Sequence, residues 1–94
     1  MVLPLVPVTA TTGIRNWEIW NEPDLDQFFV GSAADYARLL KVAYFAGKFA
    51  DPQANIVFGG MVHWQKPNWF NDVLNAIGAD SQAAANHYFM DDVA

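Results

Sequence analysis

The chain has 94 residues, 53 % of them apolar, with a formal charge of −5 and no cysteine. That length allows one domain at most, and so apolar a composition is more than a small globule can hide, which points to self-association or to a piece of a larger fold. Disulfides and thiolate metal sites are excluded, and five basic against ten acidic side chains argue against a nucleic-acid partner, which needs a basic footprint.

The first stretch, MVLPLVPVTA, is apolar but has no basic start, is broken by Pro4 and Pro7, and is too short to span a membrane. It therefore predicts neither a signal peptide nor a membrane partner, and it leaves the compartment open. Residues 1–13 match no pattern, so the domain is read as 14–94. Residues 15–22 (RNWEIWNE) read as a strand. Residues 32–50 read as a helix, with Ser32 and Asp35 spaced as a capping box and Asp51-Pro52 as its stop. The short apolar run 55–61 (NIVFGGM) has the signature of a strand buried on both faces. Pro67 and Asn68 open a second helix, whose Trp69, Phe70, Val73, Leu74 and Ile77 share an inward face before Gly78 ends it. Residues 84–90 (AANHYFM) are expected to form a third strand.

The order is thus β-α-β-α-β, an α/β class with parallel strands and right-handed crossovers. Open doubly wound sheets and closed (β/α) barrels both build on this unit, and both gather chemistry at the carboxyl ends of their strands. The chemically capable residues are expected there: Asn21 and Glu22 after the first strand, His63 and Trp64 after the second, His87 and Tyr88 late in the third.

Alternation along a strand puts Glu18, Trp20 and Glu22 on one face, with Glu18 about 13 Å below Glu22 at about 3.3 Å per residue. A glycosidase pair needs a separation of about 5–5.5 Å for retention or about 6.5–9.5 Å for inversion, so Glu18 is read as a buried structural acid paired with a base such as Arg15. Glu22 ends the strand before a proline, with Trp20 beneath it to lower the local dielectric, an environment expected to raise its pKa toward that of a general acid. Weak candidates for a second carboxylate are Asp24 and Asp26 on the next loop and Asp91 and Asp92 after the third strand. Surface acids on loops are the plainer reading of all four, and an inverting arrangement through Asp91 or Asp92 is less strained than a retaining one. His63 ends the strand beside that of Glu22 and is expected to hydrogen-bond it or a substrate hydroxyl. The set His63, His87 and Asp91 has no ligand rhythm, so no metal is expected. Trp64 is a candidate stacking platform for an apolar sugar face.

The run WEIWNEPD, residues 17–24, resembles the fourth-strand motif of the clan A glycoside hydrolases, retaining (β/α)8-barrel enzymes, and is most similar to the family-thirty-nine β-xylosidase branch. The likeness extends through YARLLKVAYFAGKFADPQA and NIVFGG, and more weakly to NHYF, which is similar to the end of the clan's sixth strand. It implies a partial TIM barrel holding strands four to six, completed or shielded by self-association into a homo-oligomer. It also implies hydrolysis of β-linked sugars, with Glu22 as acid/base and Asn21 gripping the sugar 2-hydroxyl, and it calls for no cofactor. His63, Trp64, His87 and Tyr88 would line the sugar site. The clan's nucleophile belongs on strand seven, which this sequence does not contain. The alternative is therefore a barrel fragment that keeps a sugar-binding rim without turnover.

Overall fold

A computed structural model describes residues 13–94; the expectations for residues 1–12 lie outside the described residues. Strand β1 covers Asn16–Ile19, helix α1 Ala33–Ala50, strand β2 Asn55–Phe58, helix α2 Trp69–Gly78 and strand β3 Asp92–Val93, with a short 3-10 helix at Ala84–Phe89 before β3. The three strands form one sheet in the order β1-β2-β3, parallel throughout, with Trp17 beside Ile56 and Val57 beside Asp92. The α/β class and the parallel β-α-β-α-β order expected from the sequence are what the described residues form.

The first helix starts as its sequence dictates. Ser32 accepts from the Asp35 N–H while the Asp35 carboxylate accepts from the Ser32 N–H, so two otherwise orphaned donors are satisfied reciprocally. Tyr36, Ala37, Leu40 and Tyr44 face inward at helical spacing, against Ile56 and Phe58 of β2 and Trp69, Val73 and Ile77 of α2. Edge-to-face contacts of Tyr36 with Phe29 and Phe58 fill the centre. Trp69 is core, as expected, although its indole N–H is buried without an acceptor.

The second strand ends at Phe58, three residues short of the run 55–61 read from the sequence, and two further elements differ more. The first strand stops at Ile19 instead of Glu22, because Trp20 (φ 68°) and Glu22 (φ 49°) turn left-handed, a conformation no ladder can propagate. Residues 84–90 are not a strand. Asn86 and Tyr88 both donate to the Ala83 carbonyl, His87, Tyr88 and Phe89 have positive φ, and the third strand begins at Asp92. Burial of Phe89 and Met90 explains the apolar run, since a turn pressed into the core needs apolar side chains as much as a strand does.

This shift relocates four candidates. Asp91 precedes β3 and Asp92 opens it, whereas both were expected to follow it. His87 and Tyr88 sit before β3 and not at its carboxyl end. His87 Nδ1 lies 3.4 Å from both the Tyr44 hydroxyl and Asp91 Oδ1, beside the start of β2, where the Ile56 N–H donates to Asp91 Oδ2. The weak likeness of NHYF to a strand end therefore has no counterpart in this fold.

Candidate active site

The carboxyl ends of β1 and β2 are joined by a dense set of contacts. The buried Tyr36 hydroxyl donates to the Ile19 carbonyl at 2.7 Å and accepts from the Gly59 N–H at 3.0 Å, linking the two strand ends from beneath. Burial pushes the Tyr36 phenol up to about 12, an effect the Gly59 N–H opposes and the nearby Glu18 charge reinforces. Gly59 has no room for a side chain: a Cβ there would lie 2.7 Å from the Ile19 carbonyl oxygen and 2.8 Å from that of Trp20.

One residue on, Gly60 bonds both glutamates of the motif. Its N–H donates to Glu18 Oε1 at 2.7 Å, and its carbonyl accepts from the Glu22 N–H at 2.9 Å. Glu18 is exposed and bonded to main chain, not buried against a base; Arg15 instead reaches Gln53. With both groups on one residue, Glu18 Oε1 is within about 10 Å of the Glu22 nitrogen by bond lengths alone.

Beyond Pro23 the loop turns inward. Asp24 is fully buried, and its Oδ2 accepts from the Val62 N–H at 3.0 Å and the His63 N–H at 2.7 Å. Two backbone donors of the β2–α2 loop are thus satisfied by a side chain of the β1–α1 loop, the pairing a buried carboxylate requires. Asp26 extends the seam: its N–H donates to Gln65 and its carboxylate pairs with Lys66 at 2.6 Å. The sequence reading of Asp24 as a surface acid missed this role, and its carboxylate is not free to act as a nucleophile. The available signal was the position, an acid immediately after a proline that ends a strand, where the neighbouring loop's N–H groups lack ladder partners.

Above this seam, Glu22 is half-buried and Asn21 exposed, and neither side chain has a hydrogen-bond or ion-pair partner among the described residues. Trp20 is half exposed; its indole N–H donates to the Phe28 carbonyl and its ring meets Phe29 edge-on at 6.0 Å. His63 is exposed at φ 71°, held by its backbone N–H on Asp24, and its ring does not hydrogen-bond Glu22. Trp64 is 70 % exposed beside it. The structure therefore gathers Asn21, Glu22, His63 and Trp64 at one rim and leaves His87, Tyr88, Asp91 and Asp92 elsewhere. Asp91 is engaged where it is, paired with Lys48 at 2.7 Å. Burial pushes its carboxyl up, but the Ile56 N–H, Lys48 and His87 together outweigh that and hold it below the usual carboxylate range. Among the described residues no three His, Asp or Glu side chains are grouped to hold a metal ion, and no helix is long and apolar enough to cross a membrane.

Compared with known proteins, the chain matches no family model, no curated protein and no solved structure.

Proposed function

We propose that this chain carries the proton-donating half of a glycosidase site of the clan A type, on a partial (β/α) barrel, acting on β-linked sugars. The observation that carries the reading is the state of Glu22 and Asn21: both are held at the carboxyl rim by a backbone fixed through Gly60 and Asp24, and neither side chain has a partner among the described residues. A carboxyl so placed can give its proton to a departing glycosidic oxygen, while the Asn21 amide donates to the sugar 2-hydroxyl as positive charge develops on the ring. Trp20 and Trp64 offer exposed indole faces for the apolar side of a pyranose.

A second reading, a rim that binds sugar without turnover, draws support from the acids. Asp24 and Asp26 are committed to loop contacts, Asp91 to Lys48, and Asp92 sits at the start of β3. Hydrolysis of nitrophenyl β-glycosides by the native chain and by Glu22→Gln separates the two readings. The expected result is turnover that falls about 10²- to 10⁴-fold in the variant, the usual worth of a positioned acid. Saturable quenching of tryptophan fluorescence by xylo- or gluco-oligosaccharides with no turnover supports the binding rim, and neither response overturns both.

A further inference from the structure

We infer that the free edge of β1 is a two-fold interface, where a second copy of this chain adds its own β1 antiparallel in a single register that sets Trp17 against Trp17. This inference is independent of the glycosidase reading.

Among the described residues β1 is an edge strand, flanked by β2 on one side only. The Arg15 carbonyl accepts from the Asn55 N–H of the β2 segment, and in a parallel pair alternate residues turn both polar groups to the same neighbour. Arg15, Trp17 and Ile19 therefore address β2, which leaves the N–H and C=O groups of Asn16 and Glu18 facing outward, a template for another strand. Antiparallel pairing that engages both residues of one strand with both of the other has one solution about a two-fold axis. Asn16 of each copy exchanges both backbone hydrogen bonds with Glu18 of the other, and Trp17 lies at the centre as a non-hydrogen-bonded pair.

The side chains agree with that register. On the face away from the helices, the Asn16 Oδ1 is taken by the Asn55 amide and Glu18 Oε1 by Gly60. What each has left is complementary: an amide N–H₂ on Asn16 and a carboxylate oxygen on Glu18, neither with a partner among the described residues. Shifting the pairing by two residues toward the carboxyl end would oppose Glu18 to Glu18, two like charges directly across. On the helix face, Trp17 and Ile19 border an apolar groove of about 310 Å³ with Ala43, Gly47, Ala50 and Ile56. The two-fold axis brings both grooves together around the paired indoles, and the small residues of α1 leave room for them. In this arrangement the two Glu22 rims lie at opposite ends of the joined sheet, so the partner shields the edge without lending an acid to the site.

Because the chain has no cysteine, single thiols report the register directly. Sedimentation equilibrium of the native chain at micromolar concentration is expected to give twice the chain mass. Under mild oxidation Trp17→Cys should form a disulfide-linked dimer, since a directly opposed antiparallel pair lies within bridging distance. Asn16→Cys and Glu18→Cys should each stay monomeric on a denaturing gel and cross-link only when mixed, a second readout at exposed positions should Trp17→Cys fold poorly. A monomer in sedimentation overturns the inference, as does Asn16→Cys or Glu18→Cys cross-linking to itself as readily as the mixture does.

Discussion

Replacing Asp24 with Ala removes the side chain that satisfies the Val62 and His63 N–H groups, and the cost can be worked from the contacts. Each backbone donor left buried without an acceptor costs about 1–3 kcal/mol. Two such donors, less what hydration of these part-buried groups recovers, put Asp24→Ala at about 2–4 kcal/mol. Asp24→Asn keeps an oxygen at the Oδ2 position, which serves both N–H groups, but sets an NH₂ near Val62, where Oδ1 now lies 3.2 Å from the nitrogen. About 1–2 kcal/mol is expected for that variant. Urea unfolding followed by tryptophan fluorescence, at one fixed protein concentration, measures both differences. In a domain of this size the Ala variant should also lose about 10 °C or more in melting temperature, at about 4–8 °C per kcal/mol. A loss under about 0.5 kcal/mol, the range of ordinary surface changes, would refute the argument that Asp24 ties the two loops together.

Further outcomes are expected at three positions. Tyr36→Phe leaves the Ile19 carbonyl and the Gly59 N–H without their hydroxyl partner and should cost about 2–3 kcal/mol in the same assay. A buried phenol raised to about 12 binds its proton more tightly folded than unfolded, so native stability should decline from pH 10 toward pH 12, and Tyr36→Phe should abolish that alkaline limb of a pH–stability curve. Gly59→Ala drives a methyl into two backbone carbonyls that cannot swing aside. A loss of about 2 kcal/mol or more is expected, with a shifted indole spectrum as Trp20 is displaced. The Asp91 carboxyl is depressed in the folded state, so its stabilisation is present above the unfolded carboxylate pKa and disappears as pH falls through the lower folded value. Asp91→Asn should accordingly destabilise the chain near neutrality and match the native chain in strong acid, as melting curves across that range would show.

What could be read beforehand follows from which signals are local. Ser32 and Asp35 cap α1 through bonds made within one turn, so the helix start was visible in four letters. The β2 run is buried on both sides, and its composition said so. The run at 84–90 is apolar for the same reason but adopts a turn, and nothing in His87, Tyr88 or Phe89 announces a positive φ, which glycine or asparagine would have suggested. The first strand was read as straight through Trp20, whose positive φ is no more announced by its sequence than those are. The rim residues themselves, Asn21, Glu22, His63 and Trp64, were legible because they follow strands whose starts were placed to within a residue, although both strands end three residues earlier than read. Asp24 and Tyr36 were not, since the backbone groups they satisfy belong to segments about 40 and about 20 residues away, and such pairings are set by tertiary geometry.

The loop seam also bears on how a ligand would be received. A rim clamped through Gly60, Asp24 and Asp26 has already surrendered its conformational freedom during folding, so little ordering entropy remains to be lost on association. The two exposed indoles differ in this respect. Trp20 is preorganised by Phe28 and Phe29, whereas Trp64 has no hydrogen-bond or ring partner among the described residues and must be immobilised by whatever stacks on it. Equal contact area on the two rings would thus yield unequal affinity, and a saccharide spanning both should be anchored at Trp20 and looser toward Trp64.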